Sequence, residues 1–146
     1  EKEIQMIGLD VTRQIVLTPN LRDYLCRLNP WIGALVRDMT DFYMDFHWQQ
    51  EGLIGCVIND PLAVAYFLDP DLCRGFSAYT TVETEGLCIG QSVVDAEHFW
   101  KKAPNCHILT EADPLGFMVL FFSRLLKKDP LELRPMLARL MGGIVK

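Results

Sequence analysis

The tripeptide Asn59-Asp60-Pro61 is the part of this chain best suited to chemistry. Proline at a first helical position has no N–H to leave unpaired, so the pattern predicts a helix beginning at Pro61 with Asp60 as its N-cap. A carboxylate held there meets free backbone donors and the positive end of the helix dipole, conditions that keep it ionised. An ionised carboxylate in a fixed place is what a hard cation takes as a ligand. The same residues also suffice for plain helix capping, and the tripeptide alone leaves both readings open.

The longer run Asn59-Asp60-Pro61-Leu62-Ala63-Val64-Ala65-Tyr66 resembles the His-Asp-Pro-x-Ala-Val-Ala-Tyr segment of the inosine-uridine-preferring nucleoside hydrolases. Two further segments agree in order and spacing. Gly8-Leu9-Asp10-Val11-Thr12 resembles a stretch that precedes a helix in that family, and Val82-Glu83-Thr84-Glu85-Gly86 with Gly90-Gln91-Ser92-Val93-Val94-Asp95 resembles its later strand pair. The similarity runs to the helix beginning near Pro114. It implies that residues 1–146 are the C-terminal half of an α/β, nucleoside-hydrolase-like fold with a Rossmann-like core and an additional antiparallel β region. The family's opening Asp-x-Asp-x-x-x-Asp-Asp motif, which supplies most of the calcium ligands, does not occur here. Asp69-Pro70-Asp71 comes nearest and reads as a turn. With Glu1 rather than methionine at its start, the chain is expected to be part of a longer protein whose other half carries those ligands.

What the resemblance implies about activity is specific. The parent enzyme hydrolyses the N-glycosidic bond of a ribonucleoside, with calcium holding the ribose hydroxyls and lowering the pKa of an attacking water. Asp60 matches the calcium-binding aspartate of this half. One carboxylate does not make a site for an ion that wants six to eight oxygens, so the chain alone is expected to bind calcium weakly and turn over nothing. Asn59 stands where many members have a histidine that hydrogen-bonds or protonates the departing base. An amide donates a hydrogen bond but delivers no proton at neutral pH. Uracil leaves as a delocalised anion and needs less help, which tilts the expectation towards pyrimidine nucleosides. His47, twelve residues earlier, and Glu51 occupy family positions that face the base, and their spacing of four puts both on one helical face. His47 is therefore the candidate acid that Asn59 is not, with Glu51 favouring its imidazolium form. Packing of Phe46-His47-Trp48 at a helix end is the competing reading. The resemblance also implies a homo-oligomer; a catalytically silent nucleoside or ribose binder and a self-associating fragment are the alternatives.

Composition excludes other classes. A net charge of −5 with no basic stripe argues against binding a nucleic-acid backbone. The longest apolar run, Leu115 to Phe122, is too short to span a bilayer and contains Gly116. Five cysteines are scattered without any Cys-x-x-Cys spacing, which reads as buried, reduced thiols in a cytoplasmic protein. Cys106 and His107 are neighbours in an apparent strand and point to opposite faces, so they form no catalytic pair. His98 reads as a surface residue and His107 as a satisfied strand residue.

The elements that must position these residues follow from punctuation and periodicity. Ile4 to Leu9 reads as a strand ending at Asp10, and Thr18-Pro19 announces a helix to about Leu28. Asn29-Pro30 begins a long helix, from Trp31 towards Gln50, in which Leu35, Met39, Phe42, Tyr43 and Phe46 form a stripe expected to face a core. Gly52 and Gly55 make the following loop. Phe76 to Glu85 and Gln91 to Asp95 read as a hairpin around Gly86 and Gly90. His107 to Thr110 is another strand, and Asp113-Pro114 starts a helix to about Leu126. Beyond Asp129, the leucine periodicity is interrupted by Pro135 and ended by Gly142-Gly143, predicting a short or broken helix.

Overall fold

Helix starts in this chain are written by a polar cap followed by proline, and four of them are built that way. The computed structural model, which describes residues 3–142, has helices α1 (Leu9–Thr12), α2 (Pro19–Leu28), α3 (Pro30–Glu51), α4 (Asn59–Leu68), α5 (Pro114–Leu126) and α6 (Pro130–Met141). Thr18, Asn29, Asp113 and Asp129 each accept a backbone N–H from the first turn they cap, and proline follows each directly. Asn29 also terminates α2, so α2 and α3 turn back on one another through a single residue.

Strands β1 (Gln5–Ile7), β4 (Cys73–Val82), β5 (Ser92–Asp95) and β6 (Cys106–Ala112) form one sheet in the order β1-β6-β4-β5. The β1–β6 pair is parallel; β6–β4 and β4–β5 are antiparallel. A separate antiparallel pair joins β2 (Val16–Leu17) to β3 (Cys56–Val57), with Val16 opposite Val57 and Leu17 opposite Cys56. The architecture is thus mixed α/β with an antiparallel region. Between Arg74 and Gly75 the β4–β6 register slips, leaving Thr110 as an extra residue on β6. Gly75 is required at this bulge, because a Cβ there would overlap the backbone carbonyl of Ile108.

The main core lies between the helices and the sheet. Leu21 and Leu25 of α2, Leu62 of α4, Leu109 of β6, Phe117 and Phe122 of α5 and Leu137 of α6 are almost wholly buried in it. Among the described residues no helix is long and apolar enough to cross a membrane.

Several sequence expectations are corrected here. Asp60 is not an N-cap: Ile58 holds that place without a side-chain bond, and Asn59, Asp60 and Pro61 fill the first turn of α4. First-turn N–H groups lack intrahelical partners, so proline is as compatible with the third position as with the first. The strand expected to reach Leu9 stops at Ile7, and Leu9–Thr12 is a short helix. β4 begins at Cys73 and ends at Val82. Strands β2 and β3 were not anticipated, being only two residues each and defined by their pairing. The stripe on α3 faces away from the core: Leu35, Met39, Phe42, Tyr43 and Phe46 are exposed, Phe42 at 78%, while Gly33, Met44 and His47 are buried. Both faces of that helix are apolar, and periodicity alone does not say which one packs. Helix α6 runs unbroken through Pro135 to Met141 because Leu133, Leu137 and Met141 anchor it on one face; Gly142 caps it, and Gly143 lies outside the described residues. Of the thiols, Cys56, Cys73 and Cys106 are buried and unpaired, whereas Cys88 is exposed.

Candidate functional site

Two short structures carry the candidate residues: the last turn of α3, with His47 and Glu51, and the first turn of α4, with Asn59 and Asp60. The loop between them is short, and residues 13–17 hold both of its ends. At one end Arg13 grips Glu51 with both arms of its guanidinium, Nη1 to Oε2 and Nη2 to Oε1, the latter at 2.8 Å. At the other end β2 pairs with β3, and the N–H of Ile58 donates to the carbonyl of Ile15 at 3.4 Å. Gly55 makes this closure possible: its φ is +132°, and a Cβ there would come within 2.8 Å of the Leu17 carbonyl oxygen.

Residues 13–17 are themselves tied to the sheet by Gln14. Its Nε2 donates to the carbonyl of Thr110 at 3.0 Å, and its Oε1 accepts the N–H of Ala112 at 2.9 Å. β1 ends at Ile7, opposite Leu109. Beyond that point the amide side chain of Gln14 satisfies the β6 backbone as a further strand residue would, including the carbonyl of the bulge residue Thr110.

His47 is 5% exposed. Its Nδ1 lies 2.8 Å from the carbonyl oxygen of Tyr43, and the rings of Tyr43 and Phe46 meet it edge-on at 4.8 and 5.6 Å between centroids. Glu51 is on the same face one turn later, but its carboxylate is taken up by Arg13. That hydrogen bond holds the Glu51 carboxyl below the usual range; burial opposes the shift, and the charges of Arg13 and His47 add to it. Trp48, between them, is exposed.

Asn59 is partly buried, and its Oδ1 is sealed from solvent with no hydrogen-bond donor. Asp60 is exposed at the end of an apolar groove of about 370 Å³ between α4 and α5, lined by Val64, Leu68, Phe117 and Phe121. An exposed carboxylate is open to a donor or a cation, whereas the Asn59 oxygen is closed off in this arrangement. Among the described residues no group of three His, Cys, Asp or Glu side chains converges as a metal site. The Asp60 carboxylate fits as one ligand of a calcium ion and falls well short of the six to eight oxygens that calcium takes. Asn59 and Asp60 are brought together at one helix start, and His47 and Glu51 at one helix end. No hydrogen bond links the two pairs. Arg13 and Gln14 were not singled out by the sequence, because partners 38 and about a hundred residues away leave no local pattern. His98 is exposed, and the His107 ring is hydrogen-bonded to the Ser77 hydroxyl at 3.2 Å, as a strand residue.

Comparison with known proteins identifies the family of this chain. The family described as inosine-uridine preferring nucleoside hydrolase matches residues 1–119. The pyrimidine-specific ribonucleoside hydrolase RihA of Shewanella baltica is 33% identical over 130 residues, covering 87% of this chain and 41% of that protein. The RihA of Escherichia coli strain K12 is 27% identical over 124 residues, covering 84% of this chain and 40% of that protein. The structure of a purine-preferring ribonucleoside hydrolase from Gardnerella vaginalis superposes with a TM-score of 0.75 at 32% identity, over 86% of this chain and 40% of that one. A plant nucleoside hydrolase shares the fold at 20% identity, with a TM-score of 0.77 over 86% of this chain and 42% of that one. The chain spans about two fifths of the length of these relatives. With the matched segment running from β1 into α5 and including both halves of the candidate site, the chain belongs to the inosine-uridine preferring nucleoside hydrolase family.

Proposed function

We propose that the complete protein containing this chain hydrolyses the N-glycosidic bond of ribonucleosides, and that this chain contributes Asp60 to the cation site and His47 and Asn59 to the base site. The observation that carries the reading is the first turn of α4, where the Asp60 carboxylate is open to solvent and the neighbouring Asn59 keeps a buried Oδ1 with no donor. Calcium, when bound, supplies a grip on ribose hydroxyls and a more acidic water. Its remaining ligands come from outside the described residues.

On this reading Asn59 orients the base by hydrogen bonding, and any proton delivered to the leaving group comes from elsewhere. Pyrimidine nucleosides are the favoured substrates, because the uracil anion departs with less assistance. The 33% identity to a protein named pyrimidine-specific supports this choice, while the purine-preferring relative at 32% makes it worth testing. The full-length protein should release ribose from uridine faster than from inosine, lose that activity with a calcium chelator and regain it when calcium is returned. The 146-residue chain alone should release none. Tight nucleoside binding with no ribose release from the calcium-loaded full-length protein would replace the hydrolase reading with a silent binder.

A further inference from the structure

The loop between α3 and α4 is closed into a ring by residues 13–17, and one of its two closures is a single side-chain pair. We propose that Arg13 is a positioning residue: by gripping Glu51 it fixes the last turn of α3, and with it His47, at a set distance from the strand pair that leads into Asn59 and Asp60 at the start of α4. The proposal rests on the hydrolase reading for its kinetic consequence, but not for its structural one.

Three observations carry it. First, the contact is a two-armed fork, which constrains orientation as well as distance. Second, the Arg13 end has a firm base. Gln14, its neighbour, bonds β6 at Thr110 and Ala112, and Ile15 is wholly buried, so the guanidinium reaches α3 from a segment locked to the sheet. Third, the Glu51 end is where α3 needs holding. The helix terminates at Gly52 in the left-handed region, whose N–H returns to Trp48 at 3.0 Å, and the N–H of Leu53 returns to His47 at 3.4 Å. Beyond those bonds the last turn is held on its inner face by the buried His47, while the face of α3 opposite the core is exposed from Leu35 to Phe46 and adds no support. Glu51 is then a latch for α3, in place of the base-facing role that its position in the family pattern implies.

A latch that is half exposed has a modest effect on local opening, and that sets the expected size of the response. In full-length Arg13→Ala, protection of the Gly52 and Leu53 amides from hydrogen exchange should fall about two- to fivefold, with the Cys56 and Val57 amides unchanged. The His47 ring signals in a proton–carbon correlation spectrum should shift or broaden. Arg13→Lys should recover less than half of the effect, since an ammonium does not fork, and the exchanged pair Arg13→Glu with Glu51→Arg should restore both readouts. If the complete protein hydrolyses nucleosides, kcat should fall about fivefold or more with KM nearly unchanged, because His47 is displaced while the ribose site stands.

Unaltered His47 signals in Arg13→Ala, or a loss that the exchanged pair fails to restore, would overturn the proposal even if kcat fell. A wild-type protein with no ribose release from any nucleoside would remove the hydrolase reading alone, and the exchange and ring signals would still decide the latch.

Discussion

His47 Nδ1 stands 2.8 Å from the carbonyl oxygen of Tyr43, one turn earlier in the same helix. A carbonyl only accepts, so Nδ1 carries the proton and Nε2 is the nitrogen left for chemistry.

From that tautomer comes the first prediction. His47→Gln in the full-length protein should lower kcat for inosine by about a hundredfold, the lower end of a general-acid contribution. A nitrophenyl riboside, whose leaving group departs without a proton, should be nearly unaffected. Equal losses on both substrates would make His47 a packing residue of the helix end, consistent with its contacts to Tyr43 and Phe46.

Asp60 is exposed and caps nothing, so Asp60→Ala should leave stability within about 0.5 kcal/mol of wild type. In the full-length protein it should weaken calcium binding at least tenfold and abolish ribose release. Calorimetric titration with calcium, alongside thermal unfolding, separates these effects. Wild-type calcium affinity in the variant would exclude Asp60 from the metal shell.

Glu51 gives a pH dependence with a defined sign. Its carboxyl is held below the ordinary value of 4.5, chiefly by the hydrogen bond from Arg13. A carboxyl depressed in the folded state supports folding above its unfolded pKa, and that support is lost as pH falls through the lower, folded value. Protection of Gly52 and Leu53, corrected for intrinsic exchange, should therefore decline below pH 4.5 in wild type. Glu51→Gln should show no such decline, and identical profiles for the two proteins would contradict the assignment.

Gly75→Ala should be among the most damaging single-methyl changes in the chain. The added Cβ meets backbone rather than a movable side chain, so β4 and β6 must separate at the bulge. A loss of about 2–3 kcal/mol in denaturant unfolding is expected, as for overpacking that forces backbone shifts.

Thiol labelling should discriminate sharply. Burial pushes Cys56 up to about 11 and raises Cys73 and Cys106 as well, whereas Cys88 lies exposed between Leu87 and Ile89. At pH 8 iodoacetamide should modify Cys88 first and leave those three intact until the protein is unfolded. The stability associated with the buried Cys56 thiol is complete below its ordinary value of 9.0 and declines as pH rises through about 11.

Much of the fold is legible in the sequence because its signals are local. Thr18-Pro19, Asn29-Pro30 and Asp113-Pro114 mark helix starts to within one residue, since cap and proline act within one turn. The hairpin around Gly86 and Gly90 is equally visible, both glycines having positive φ. At Asn59-Asp60-Pro61 the same grammar misplaces the boundary by two residues, because the first turn accepts proline at more than one position. The site is legible in its residue types and not in its connections. Glu51 reads as a free carboxylate until Arg13, far away in sequence, is seen to hold it. The stripe of α3 reads as core because amphipathic spacing says that a face is apolar and not that anything covers it.

The parallel pairing of β1 with β6 also constrains when the chain becomes a structure. Gln5 meets His107 and Ile7 meets Leu109 across about a hundred intervening residues. At translation rates of roughly 5–20 residues per second, β1 emerges about 5–20 s before the strand it needs. The α2–α3 hairpin, joined through the single residue Asn29, has its mutual contacts in hand during that interval, though not those with α5 and α6. Gln14 has no sheet backbone to bind until Thr110 and Ala112 arrive, so Arg13 acquires its firm base only with β6. A nascent chain halted before β6 would thus present helices formed around a vacant sheet edge, the state in which quality-control factors would meet it.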